Sequence, residues 1–305
     1  MNSTAEISID NEVRRALDAK RAVVALESTI FSHLGLPSPA NREALDRCLN
    51  AICNAGATPA ITAIIDGVAR VGVDAREHEL ILGPARKVGA RELPLAIAQG
   101  WRFGATTVSA SLLLAERAGI GVFATGGIGG VHRNANLDGD ISADLGALAA
   151  HSVVTVSAGA KSFLDLPRTL QHLETLSVPV IGIACDDFPA FTVYSSGIPI
   201  PARVETVDEL AAVVRAHRAL RRSGGILACV PIPLHESLDR TQIETIISEA
   251  LASSESAGIG GAAITPFVLA AIARATGGSS VRANLALAEN NARVAAELAV
   301  ALATS

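Results

Sequence analysis

Short apolar runs alternate along the chain with longer stretches of helical period. The runs at residues 22–26, 59–65, 121–124, 153–156, 178–184 and 226–230 are almost wholly apolar, as expected of strands covered on both faces in a parallel sheet. Residues 68–73 read as a hairpin partner of 59–65. Residues 10–20, 41–55, 92–99, 106–118, 142–150, 163–176 and 206–222 read as helices, and the chain after Pro233 is nearly all helix. Gly and Pro mark residues 32–39 as a loop. This alternation predicts a layered α/β fold with a largely parallel central sheet and a helical C-terminal region. No repeat, low-complexity tract or linker divides the chain, so residues 1–305 read as a single domain.

In such sheets, sites gather at the carboxyl ends of the strands. Glu27, the glycine loop 126–130 and Lys161 each fall just past a predicted strand end. The pattern therefore predicts that all three share one edge of the sheet.

Composition narrows the chemistry. Half the residues are apolar but only 3% are aromatic, and the net charge is -5. With no Lys/Arg-rich run, a nucleic-acid partner is not expected. The charged N-terminus, residues 1–20, has no apolar signal core, and no span is apolar enough to cross a membrane; a cytoplasmic protein is expected. Cys48, Cys53, Cys185 and Cys229 form no C-x-x-C pair and read as free thiols. The chain carries 22 arginines but three lysines, Lys20, Lys87 and Lys161. An amine can lose its proton and attack a carbonyl, which a guanidinium cannot do.

Lys161 follows the small residues Ser157-Ala158-Gly159-Ala160 and lies between apolar runs. It reads as a desolvated Schiff-base lysine or as a lysine salt-bridged at a helix start. Gly126-Gly127-Ile128-Gly129-Gly130 is a phosphate cradle or a tight turn needing positive φ, with His132 and Arg133 as added donors. Asp138, Asp140 and Asp144 lie just before and within a predicted helix start, where Asp140 or Ser142 could be the N-cap, and their oxygens suit Mg²⁺ or Mn²⁺. Glu27, after Val-Val-Ala-Leu, is a general acid of raised pKa or a solvent-facing strand-end acid. Lys87 is a phosphate partner or a loop lysine. Thr106-Thr107-Val108-Ser109 reads as a helix start with a hydroxyl cap.

The motifs at residues 24–30, 124–133, 140–145 and 158–162, with Thr265-Pro266-Phe267, Thr276-Gly277-Gly278, Asn284 and Asn290-Asn291-Ala292, resemble those of pseudouridine-5'-phosphate glycosidases. The resemblance runs from about residue 11 to 301. It implies a single α/β/α domain, a homotrimer, Mn²⁺ as the only cofactor, and reversible cleavage of pseudouridine 5'-phosphate to uracil and ribose 5-phosphate. It places the imine-forming nucleophile at Lys161 and the proton-exchanging acid at Glu27. The metal ligand falls on Asp140, and substrate contacts on Lys87, Val108, Ser142, Ala143 and Asp144, with His132 and Asn284 at pocket positions. A C–C glycosidic bond has no heteroatom leaving group to protonate, so an iminium at C1' is needed as electron sink. The chain departs from the family's common pattern at residues 33–37, 100–103, 183–185, Thr192 and Val230, segments expected to face the base. The alternative reading is a C-glycosynthase that joins ribose 5-phosphate to a non-uracil, aromatic acceptor.

Overall fold

The computed structural model describes residues 7–220, 223–259, 261 and 264–304. Eleven strands form one sheet: β1 (Ser8–Ile9), β2 (Val23–Leu26), β3 (Thr58–Ile65), β4 (Val68–Val71), β5 (Arg86–Val88), β6 (Phe103–Thr106), β7 (Val122–Ala124), β8 (Val154–Ser157), β9 (Val180–Ile183), β10 (Ala202–Val204) and β11 (Ile226–Cys229). The helices are α1 (Asn11–Asp18), α2 (Ala40–Asn54), α3 (His78–Ile81), α4 (Leu93–Ala98), α5 (Val108–Ala118), α6 (Ala135–Asp138), α7 (Ala143–Ala150), α8 (Leu166–Thr175), α9 (Val207–Ala219), α10 (Arg240–Ser256), α11 (Ile264–Ala275) and α12 (Ser279–Ala303).

The run β3-β2-β7-β8-β11-β9-β10 is parallel throughout. Strand β3 outlasts its partner β2. Its first half pairs with β2, and its second half pairs antiparallel with β4 and β6. That extension carries β5 and β6 into the sheet beside the carboxyl end of β2.

The central strands β2, β7, β8, β9 and β11 are buried on both faces, which is why they read as nearly unbroken apolar runs. Along β2 the side chains alternate between two cores. Val23 and Ala25 pack with residues of α1, α5, α7 and α10, whereas Val24 and Leu26 pack with residues of α2, α9 and α12. The helices thus form two layers with the sheet between them. The helices start where side-chain caps permit: Asp10 before α1, Ser142 before α7, Asp165 before α8, Thr206 before α9 and Asp239 before α10 each accept a backbone N–H. Helix α5 ends at Gly119 with φ of 81°, a left-handed cap that glycine adopts without strain.

The predicted layered fold is the observed one, but four strands escape the pattern. β1, β5, β6 and β10 read Ser-Ile, Arg-Lys-Val, Phe-Gly-Ala-Thr and Ala-Arg-Val, so charge, glycine or hydroxyl residues break the apolar run that marks the other strands. Thr106, expected to open a helix, ends β6 instead. The helix expected at 163–176 begins at Leu166, because Asp165 caps it and Pro167 occupies its first turn. The predicted helix 206–222 is observed to Ala219; its last two residues, and residues 1–6 of the charged N-terminus, lie outside the described residues.

Candidate active site

Adjacent parallel strands β2, β7 and β8 end together, with Leu26 opposite Ala124 and Ala124 opposite Val156. Glu27, the glycine loop and Lys161 therefore meet on one edge, as the sequence predicts. Pairing continues past the strand ends. Ile128 N–H donates to Gly159 O at 3.0 Å, and Lys161 N–H donates to Ile128 O at 3.2 Å. The backbone at the lysine is thus fixed by the glycine loop.

Glu27 is partly buried. Thr125 Oγ1 donates to Glu27 Oε1 at 2.5 Å. A narrow apolar pocket lined by Leu26, Ile30, Phe31, Cys48 and Ala288 adjoins both residues. Burial holds the Glu27 carboxyl above its ordinary pKa. Asp144 adds to that rise, while Lys161, the Thr125 hydrogen bond and Lys87 act against it. Glu27, Lys161, Lys87 and Asp144 are thus near enough to feel one another's charge. Burial lowers the pKa of Lys87, with the Lys161 charge assisting and Asp144, Glu27 and Glu92 opposing. The alternative of a solvent-facing acid does not describe Glu27, and Lys87 lies on strand β5 rather than in a loop, although its side chain is exposed. Lys161 forms no ion pair among the described residues and lies in the turn ahead of α8 rather than at its start.

The glycine loop is a packed element, and residues 126–131 are buried. None of its glycines has positive φ, so a left-handed turn does not explain them. They are needed for close approach. A Cβ on Gly129 would sit 2.3 Å from Ser142 Oγ and 2.9 Å from Asp144 Oδ2, and one on Gly127 would sit 2.7 Å from the Phe191 ring. Some of the donors expected for an anion are already spent: Gly129 N–H donates to Asp144 Oδ2 at 2.9 Å and Val131 N–H to Thr169 Oγ1 at 3.0 Å.

Asp144 is 6% exposed. Its other oxygen accepts Ser109 N–H at 3.1 Å, so it caps α5 beside Val108. Thr107 occupies the N-cap position but makes no side-chain cap bond, which corrects the expected hydroxyl cap. The Thr106 hydroxyl instead joins a buried cluster, 2.8 Å from Thr62 Oγ1 and 3.2 Å from Ser28 Oγ. Strand β5 brings Lys87 to this corner by pairing it with Ala105. Ser142 caps α7, and Ala143, the first residue of that helix, is exposed.

Arg133 is not an anion donor. It grips Glu244 through both terminal nitrogens at 2.6 and 3.0 Å, and donates to the carbonyls of Phe163 and Ser162. It therefore braces the turn that follows Lys161. The His132 ring lies 3.8 Å from Asp140 Oδ2. Its pKa is lowered chiefly by burial, against the pull of Asp140 and Asp138. Among the described residues no three His, Cys, Asp or Glu side chains converge as a metal cage. Asp140 Oδ2 is nonetheless a buried carboxylate oxygen without a hydrogen-bond partner, which suits a hard cation that keeps most of its water. Asn284 Oδ1 is likewise buried without a partner and lies beside Gly126.

Sequence reasoning met Thr125 and Asn291 only as members of motifs and gave neither a role, and it missed the Arg133–Glu244 brace. Asn291 is a fully buried amide in the Ala-rich α12, which is the signal that marks it. Trp101, expected near the base, lies under the Arg86 guanidinium at 3.3 Å, roughly 15 Å of extended chain before Thr106. A groove of about 480 Å³ between α2 and α12, lined by Arg47, His235, Glu289 and Arg293, contains none of the expected site residues.

The fold and this edge define an α/β enzyme with an amine and a carboxyl group brought to one edge of the sheet at the ends of parallel strands. The chain belongs to the indigoidine synthase A-like protein family, which matches residues 12–301. It is 47% identical over 298 residues to a pseudouridine-5'-phosphate glycosidase of Solibacter usitatus, covering 97% of this chain and 99% of that one. It is 49% identical over 297 residues to one from Methylobacterium nodulans, covering 95% and 86%. Among solved structures, the prealnumycin C-glycosynthase AlnA in complex with ribulose 5-phosphate superposes with a TM-score of 0.90 at 37% identity, covering 98% of this chain and 97% of that one. An indigoidine synthase A-like protein from Thermotoga maritima superposes with a TM-score of 0.89 at 32% identity, covering 99% and 98%.

Proposed function

We propose that this protein is a pseudouridine-5'-phosphate glycosidase that cleaves the C–C bond between uracil and ribose 5-phosphate, reversibly. The observation that carries the reading is the meeting of Lys161 with Glu27, an acid whose pKa burial raises, at one sheet edge. Near-full-length identity to relatives of that name supports it. In the cleavage direction the Lys161 nitrogen bonds to C1' as the C1'–O4' bond breaks and the ring opens; the bond's electron pair goes to O4', which takes up the proton the amine loses. The Glu27 carboxyl gives its proton to the base carbon as the C–C bond breaks, and the bonding pair stays with the base. The nitrogen lone pair completes the C=N bond, and water then releases ribose 5-phosphate and restores the amine.

Lys87, Val108, Ser142, Ala143 and Asp144 are proposed to hold the sugar phosphate, with His132 and Asn284 at the rim of the pocket. Asp140 would hold Mn²⁺, which when bound supplies positive charge for the phosphate-bearing substrate. Chelator treatment is expected to weaken ribose 5-phosphate binding and Mn²⁺ to restore it; unchanged affinity would reduce Asp140 to a structural role. A homotrimer and a cytoplasmic setting complete the reading. Among the described residues no helix is long and apolar enough to cross a membrane.

The test is uracil release from pseudouridine 5'-phosphate, together with borohydride reduction in the presence of ribose 5-phosphate and mass mapping of the adduct. Uracil release with an adduct at Lys161 is expected. An adduct without uracil release favours the C-glycosynthase alternative, to which apolar Val230 points: its N–H pairs with Ser157 O at the end of β8. No adduct at Lys161 overturns both.

A further inference from the structure

Thr125 stands between two conspicuous contacts and is 5% exposed. On one side its hydroxyl donates to Glu27 Oε1. On the other its backbone is gripped by a fully buried amide: Asn291 Nδ2 donates to Thr125 O at 2.9 Å and to Gly126 O at 3.2 Å. Thr125 N–H in turn donates to Val156 O at 3.1 Å. The residue is thus fixed from α12 and from β8 before its side chain reaches the acid. A buried asparagine in a helix core is retained against a desolvation cost that an aliphatic residue would avoid. Here Nδ2 pins two carbonyls at the start of the glycine loop, while Oδ1 is buried without a partner.

We infer that Thr125, braced by Asn291, is a positioning residue that holds the Glu27 carboxyl in one orientation for proton transfer. The inference rests on the proton-exchange role proposed for Glu27. With Oε1 engaged by the threonine hydroxyl, Oε2 is the oxygen that exchanges the proton with substrate. The hydrogen bond also stabilises the ionised carboxylate and offsets part of the rise that burial causes. The other charged groups acting on Glu27 are Lys161, Lys87 and Asp144, and the Cys48 thiol lines the adjoining pocket. Burial pushes that thiol up to about 12, so it is neutral when Glu27 titrates.

The variant Thr125→Val keeps the shape and removes the hydroxyl. It is expected to lower kcat about 10- to 100-fold, the range for losing a hydrogen bond to a charged partner, with KM changed less than about threefold. The pH limb belonging to Glu27 is expected to move to higher pH, and Thr125→Ser to restore both. The inference is overturned if the limb stays in place, or if Thr125→Ser fails to rescue while melting like the parent. Should Thr125→Val not fold, Asn291→Ser carries the same test, with the same direction of shift expected. Carbon-13 titration of the Glu27 carboxyl, assigned by its loss in Glu27→Gln, reads the shift without turnover. An enzyme that releases no uracil, yet shows the carboxyl shift in Thr125→Val, would refute the proposed function and leave the positioning contact standing. No shift in the titration overturns the contact whatever the activity.

Discussion

Replacing Asp144 with asparagine tests the tie between the glycine loop and the start of α5. Both carboxylate oxygens accept backbone N–H groups, from Gly129 at 2.9 Å and from Ser109 at 3.1 Å, and the side chain is 6% exposed. Water therefore cannot replace either bond. Asparagine keeps one acceptor oxygen and turns an NH₂ group toward the other N–H. One charge-assisted bond is lost, the other becomes neutral, and a buried donor is left facing a donor. Each such loss is worth about 1.5–3 kcal/mol. The α5 N-terminus also loses a favourable anion, worth about 0.3–1 kcal/mol. The expected destabilisation of Asp144→Asn is about 3 kcal/mol, read as a fall in the urea midpoint at unchanged slope. Amide exchange should quicken about 100-fold at whichever of Gly129 and Ser109 faces the new NH₂ group, because that proton loses its acceptor. A stability change under about 0.5 kcal/mol, within the range of an ordinary surface substitution, would refute the reasoning. So would unchanged exchange at both amides.

Lys161→Arg is expected to abolish turnover and borohydride trapping with an unchanged melting profile, since a guanidinium cannot form the imine; retained trapping would exclude Lys161 as nucleophile. Gly159→Ala should destabilise by about 2–4 kcal/mol. The residue has φ of 65° and its Cβ would sit 2.0 Å from Pro189 O, so an unperturbed denaturation curve would contradict the geometry. Glu27 gives a pH prediction. Its folded pKa is raised above 4.5, so the folded state binds the proton more tightly than the unfolded state. The stability this contributes is fully present below about pH 4.5 and is lost as pH rises through the folded pKa. Glu27→Gln should flatten that decline, and an unchanged slope of stability against pH above 4.5 would rule out a raised Glu27 pKa in the folded state.

The sequence by itself determined the layered fold and the edge on which the chemistry sits. The central parallel strands are buried on both faces, so they must read as apolar runs, and residues just past their ends must fall at one edge of the sheet. Glu27, Lys161 and the glycine loop were legible for that reason. Only the tertiary structure decided what their neighbours do. Strands β5 (Arg-Lys-Val) and β6 (Phe-Gly-Ala-Thr) carry charge, glycine or threonine in place of an unbroken apolar run, yet they deliver Lys87 and Val108 to the site because β6 pairs with β3 and β5 with β6. The donors of the glycine loop and of Arg133 were spent on Asp144, Thr169 and Glu244, partners 15 to 111 positions away in the chain. Thr125 gained its place from Asn291, 166 positions further on. Pattern reports which way a side chain faces and whether it is buried. A hydrogen-bond partner is fixed by packing between distant segments, and no local spacing records it.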